Sequence, residues 1–290
     1  MKWEDQERSD NVEDRRGQSS GGGRRIGGRG VGIGTIVIAL VGGWIFGINP
    51  MTILGLLSGG GPGIEQSAPA GPAQAPPPED KAAAFVSVVL KDTERVWGQL
   101  FQAGGSNYQQ PRLVLFRGAT PTACGTGDSA MGPFYCPGDR QVYIDLDFFD
   151  TLSSRLGAPG DFAQAYVIAH EVAHHVQNQM GVTGKVDAMR GRVSQAQQNA
   201  LSVKVELQAD CLAGVWAHHS QNGKDWLDRS DIEEGLNAAS KIGDDTLQRS
   251  AQGRVTPDSF THGSSAQRVS WFKRGLAGGS VPQCNTFDAS

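Results

Sequence analysis

Hydrophobic positions fall into three textures along the chain. From Val31 to Ile48 the run VGIGTIVIALVGGWIFGI is almost wholly apolar or glycine, and no Asp, Glu, Lys or Arg occurs from Gly30 to Ile64. That length is near the roughly 20 residues a membrane-spanning helix needs, and no polar face exists to lie against water. Residues 58 to 79, SGGGPGIEQSAPAGPAQAPPPE, are Gly/Ser-rich and then Pro-rich, the composition of a partly extended spacer. From about Glu79 the periodicity becomes that of a folded domain. Phe85, Val88, Val89, Val96, Leu100 and Phe101 recur at helical intervals and predict a helix ending near Gly104-Gly105. RLVLF after Pro111 predicts a strand, and QVYIDLDFF from Gln141 a second, with partial alternation at Val142, Ile144 and Leu146. Asp161 is placed to cap FAQAYVIAHEVAHHVQNQM, which stops at Gly181, and a second long helical pattern runs from about Lys185 to His219. Ser230 is placed to cap a third helix from Asp231, with Glu233 completing a capping box. The pattern predicts an α+β domain, mainly helical with a small β-sheet, preceded by one transmembrane helix.

Four segments follow: a disordered, cytoplasmic segment over 1–29, a transmembrane anchor region over 30–57, a Gly/Pro-rich linker over 58–79 and a folded domain over 80–290. Residues 1–29 mix acids with arginines and hold few apolar side chains, too few to offset the entropy of ordering them. Arg24, Arg25 and Arg29 precede the apolar run and no basic residue soon follows it, so the positive-inside rule places the N-terminus in the cytoplasm and the domain on the periplasmic or extracytoplasmic side. A cleaved signal peptide is the main rival reading, but the charged preface is long for one. The net charge of −4, with acids and bases spread along the chain, gives no footprint for nucleic acid.

Cysteines stand at 124, 136, 211 and 284. An extracytoplasmic domain permits disulfides. Cys124 and Cys136 bracket a Gly/Pro-rich segment and form the natural local pair, leaving Cys211 with Cys284, although four cysteines admit three pairings. Without a CxxC, a four-thiolate zinc site is the poorer reading.

The strongest chemical signal is His170-Glu171-Val172-Ala173-His174. Histidines four residues apart share one helix face, where each can donate a lone pair to the same ion, and Glu171 is angled away from them toward a water on that ion. The flanking AYVIAHEVAHHV is otherwise apolar, so the helix should be buried, and unpartnered imidazoles would be costly there. Catalytic zinc takes three protein ligands and keeps one position open. VELQAD offers Glu206 and Asp210 one helical turn apart. Glu206 is the better third ligand, with Asp210 accepting the other N–H of a ligand histidine. His175 points elsewhere around the helix, where it either contacts the outer shell of the site or packs, and is the poorer ligand candidate. His218 and His219 read as the exposed end of their helix, and Asp145 and Asp147 as strand-end or surface acids.

Several separated motifs in order resemble the bacterial neutral zinc metallopeptidases of the YpfJ type: GPFYCP at 132–137, YIDLDFF at 143–149, HEVAHHVQ at 170–177, ELQADC at 206–211 and THGSSAQRVSWFKRG at 261–275. The site is also similar to that of gluzincins, where HExxH is joined by Glu in a Glu-x-x-x-Asp pattern. The resemblance implies a zincin-like fold, Zn2+ held by His170, His174 and Glu206, Glu171 as general base toward a zinc-activated water, Asp210 behind a ligand, and a polypeptide substrate.

An oxyanion donor is also needed. His262, in the Gly/Ser-rich SFTHGSSAQR, is the first candidate, with Tyr143 and Arg268 behind it and a structural loop histidine as the bland alternative. The YIDLDFF strand is either an edge for an extended peptide or central core, and Trp271 and Phe272 read as core or interface. The expected activity is a membrane-anchored peptidase, endopeptidase rather than exopeptidase. A cell-wall amidase and a non-catalytic zinc-stabilised scaffold are the competing functions.

Overall fold

The computed structural model describes residues 1–17 and 74–288. The anchor expected over 30–57 and the linker as far as residue 73 lie outside the described residues. Among the described residues no helix is long and apolar enough to cross a membrane.

Helix α1 (Lys81–Ala103) starts where Asp80 accepts from Ala83 N and ends at Gly104, as its periodicity predicts. It is followed by the strands β2 (Arg112–Phe116), β3 (Ala119–Thr122), β4 (Gly125–Asp128), β5 (Phe134–Cys136) and β6 (Gln141–Asp145). The chain then turns helical in α2 (Asp147–Ser154), α3 (Asp161–Gln179), α4 (Val182–Asp187), α5 (Gln195–Lys224), α6 (Arg229–Lys241), α7 (Asp244–Gln252) and α8 (Ser265–Gly278). β3 and β4 form a small antiparallel ribbon. A second sheet has the order β1-β2-β6-β5, where β1 is Val12–Asp14 and only β5 is antiparallel to its neighbour.

β1 corrects the reading of the first 29 residues as disordered, so far as residues 1–17 are concerned. Val12, Glu13 and Asp14 pair with Leu113, Val114 and Leu115. Trp3 Nε1 donates to Asp161, and Ser9 Oγ donates to Glu94. Three apolar or aromatic anchors in this stretch, Met1, Trp3 and Val12, join it to the main core, Trp3 through an edge-on ring contact with Phe85. Specific pairing thus does what bulk apolar content could not.

Other departures have local causes. YIDLDFF is a strand only to Asp145. The Asp145 carboxylate accepts from Asp147 N and turns the chain into α2, so Asp147, Phe148 and Phe149 are helical. β6 lies between β2 and β5 and is therefore central, not an edge. Asp145 is buried, bonded to Gly118 N and Ser129 Oγ, whereas Asp147 is exposed beside Arg117. At α3 the cap position falls to Gly160, with Asp161 the first helical residue. The pattern read from Lys185 breaks after α4 and restarts at α5, where Ser194 and Gln197 form a capping box. The third helix is capped by Asp228 with Asp231, two residues earlier than the Ser230 reading.

Cys124–Cys136 and Cys211–Cys284 are the disulfides. The second ties α5 to the C-terminal segment just past α8. These two helices touch backbone to backbone: a Cβ on Gly275 would stand 1.9 Å from Cys211 O, and one on Gly214 would stand 2.2 Å from Phe272 O. Phe272 is fully buried in the core, with Trp271 packed partly against it. His218 and His219 are not at an exposed end; each bonds a carbonyl at the end of α8, Leu276 O or Gly279 O. The α5–α8 contact fixes the back of the site.

Candidate metal centre

α3 and α5 cross in the core and bring three sequence-distant side chains together. One ligand atom each from His170, His174 and Glu206 lie within 4.8 Å of one another, all in buried or half-buried positions. His170 Nε2 is 3.1 Å from Glu206 Oε2, and His174 Nε2 is 3.5 Å from Glu206 Oε1.

The far side of each imidazole is also committed. His170 Nδ1 lies 2.9 Å from Asp210 Oδ1, and His174 Nδ1 lies 2.8 Å from Gln177 Oε1. A carboxylate accepts only, so His170 carries its proton on Nδ1. Gln177 Nε2 donates to Val205 O and Gln208 Oε1, which leaves its Oε1 to accept from His174. Both Nε2 lone pairs are thereby aimed at the same space as the Glu206 carboxylate. Two neutral imidazoles and one carboxylate are the donor set that suits zinc.

The charges around the pair favour a cation there, a proton on His170 or the metal ion that displaces it. Burial disfavours the His170 imidazolium, but Asp210 and Glu206 outweigh it and raise the group to about 9. Burial likewise pushes the Glu206 carboxyl up, and His174 and His170 pull it well below the usual range. A pocket holding this much negative charge calls for a cation. Glu171, buried beside the ligands, is raised by desolvation despite the opposing pull of His174 and His170.

Asp210 sits deeper. Arg268 on α8 donates to it through Nε (2.8 Å) and Nη2 (3.0 Å), and the Tyr166 hydroxyl donates to the same carboxylate. The guanidinium also lies against the His170 ring. Burial alone would raise Asp210, but Arg268 and His170 hold it low. Arg268 is 3 % exposed and fully engaged, a positioning group at the rear of the site.

His262 sits in the turn between α7 and α8. Asp244 accepts from the backbone N–H groups of Thr261, His262 and Gly263 and lies 3.2 Å from His262 Nδ1. Burial lowers the imidazolium and Asp244 and Glu206 more than restore it, so His262 shares the field of the metal pocket. Tyr143 does not: its hydroxyl donates to Asp139 in the turn between β5 and β6. His175 packs away from the ligands, bonded to Tyr135 Oη and Gln109 O.

Sequence reasoning missed Gln177, Tyr166 and Asp244. Gln177 had a signal, three residues past the second histidine on the same helix; the other two are polar residues whose partners lie far along the chain.

Over residues 1–287 the chain matches the family described as "Putative neutral zinc metallopeptidase". The chain belongs to that family. It is 51% identical over 297 residues to the uncharacterized protein YpfJ of Escherichia coli strain K12, covering 100% of both chains. It is 42% identical over 209 residues to an uncharacterized protein of Mycobacterium tuberculosis, covering 68% of each. No solved structure matches it. Family and donor set together make Zn2+ the cofactor.

Proposed function

We propose that this protein is a zinc-dependent endopeptidase that cleaves extended polypeptides at a membrane surface, tethered through the apolar run at 31–48. The observation that carries the reading is the convergence of two Nδ1-protonated imidazoles and Glu206, with Glu171 buried alongside and not used as a ligand. When bound, zinc supplies Lewis acidity and lowers the pKa of water.

Glu171 takes the proton of the attacking water and later passes it to the leaving amine. Its raised basicity, caused by burial, suits a group that must both accept and release a proton. His262, gripped by Asp244, donates to the oxyanion that develops on the cleaved carbonyl. Asp210 and Arg268 stay in one protonation state and hold His170 in place. An extended substrate is favoured because β5 ends its sheet and is tied to α3 through Tyr135, whose hydroxyl meets His175 and accepts from Asn178. A peptide adding to that strand would lie alongside the HExxH helix.

The test is a digest of a denatured-protein and peptide library by the full-length protein loaded with stoichiometric zinc. Internal cleavages that cease on chelation are expected. An intact library beside an active control protease would overturn the proposal.

A further inference from the structure

The first seventeen residues are bound to the rest of the domain by bonds that only close apposition permits. β1 is a ladder partner of β2, with Leu113 N donating to Asn11 O as the chain enters it. Beyond β1, Asp14 N donates to Gln74 O at 2.7 Å, and Arg16 pairs with Asp80 at 2.7 Å. The two described segments that flank residues 18–73 therefore meet at their own ends. This is no surface clasp: Ser9, Val12 and Glu13 are each 6 % exposed or less.

Paired strands lie about 5 Å apart, while the hydrocarbon core of a bilayer is about 30 Å thick. A chain that crossed the membrane once between residues 17 and 74 would place β1 and β2 on opposite sides of it. We infer that residues 1–17 and 74–288 occupy one compartment, with β1 an integral strand of the zinc domain. The two topological signals in the sequence then conflict. Arg24, Arg25 and Arg29 favour the cytoplasm, and the disulfides favour an oxidising space. A single crossing reconciled them by dividing the chain; the docked strand removes that division.

Asp10 and Asn107 are exposed, one on each side of residues 18–73. Asp10→Cys and Asn107→Cys are made separately in the full-length protein and labelled with a membrane-impermeant maleimide in sealed spheroplasts, before and after permeabilisation, against the parent protein as blank. Equal behaviour of the two positions is expected, and the same experiment reads which compartment they share. Labelling of one before and the other only after permeabilisation would overturn the inference. A second measurement checks the docking: Val12→Asp in the detergent-purified full chain should lower the Tm by several degrees, and an unchanged Tm would overturn it as well. Neither readout depends on peptidase activity.

Discussion

Gln177 Oε1 accepts from His174 Nδ1 at 2.8 Å, and the same amide's nitrogen is anchored on Val205 O of α5 at 2.7 Å. One side chain thus sets the tautomer of a ligand and locks the two metal-bearing helices in register. Gln177→Leu should weaken zinc binding by about 10- to 100-fold, the usual effect of losing a ligand's outer partner. Gln177→Glu keeps the acceptor but loses the amide donor, so it should lower stability while largely retaining affinity. Competition titration with a chromophoric chelator and a thermal melt separate the two; equal affinity in both variants would show that Gln177 does not position His174.

Glu171→Gln should hold zinc as the wild type does and lose about 10²- to 10⁴-fold in kcat, the range for a general acid–base group. Metal analysis of the purified variant beside its rate of peptide cleavage decides it. Retained turnover would remove Glu171 from the chemistry.

His262→Ala should lower kcat by about 100-fold, comparable to loss of one oxyanion donor, with KM little changed. A KM effect alone would make His262 a substrate-binding or structural residue instead.

Gly275→Ala drives a methyl group into Cys211 O, so α8 must move off α5. Overpacking of this kind costs about 1–3 kcal/mol, and because Arg268 rides on α8 the site should loosen with it. The Tm and the zinc affinity should fall together. Gly184→Ala, with nothing within 4 Å of the new carbon, is the control and should leave both nearly unchanged.

Acid should release the N-terminal strand early. Asp14 is held below its ordinary 3.8 by its bonds to Arg16, and Asp80 is held below it because Ala83 N and Arg16 outweigh its burial. A lowered folded pKa stabilises fully above the unfolded value and is lost as pH falls through the folded one. The Tm difference between wild type and Arg16→Ala should therefore be constant from pH 7 to about 5 and shrink below about 3.8. A difference that does not shrink as the pH falls below about 3.8 would contradict the pairing.

The metal helix was legible in the sequence because its chemistry is local: four-residue spacing sets one face, and the apolar flank sets burial. α1 and β2 were legible for the same reason, being strongly periodic segments closed by Gly104 and opened after Pro111. What escaped was non-local. β1 is three residues of mixed polarity that become a strand only against Leu113–Leu115. Asp244 reads as a helix-start acid until the turn at 261–263 folds over it. The break between α4 and α5 escaped because Ser194 and Gln197 form a capping box inside what looked like one continuous helical pattern. Nothing near Tyr166 in sequence announces Asp210.

Because Asp14 and Gln74 already touch, the stretch between Gly17 and Gln74 is not needed to span any distance in the described domain. Replacing it by a short glycine-serine bridge shortens the closed loop about tenfold, which changes its closure entropy by only about 2 kcal/mol, and in the favourable direction. A spliced protein that keeps the first strand is therefore the natural object for crystallisation. Trimming everything before residue 74 would instead strip β2 of its partner and leave an open sheet edge ready to aggregate.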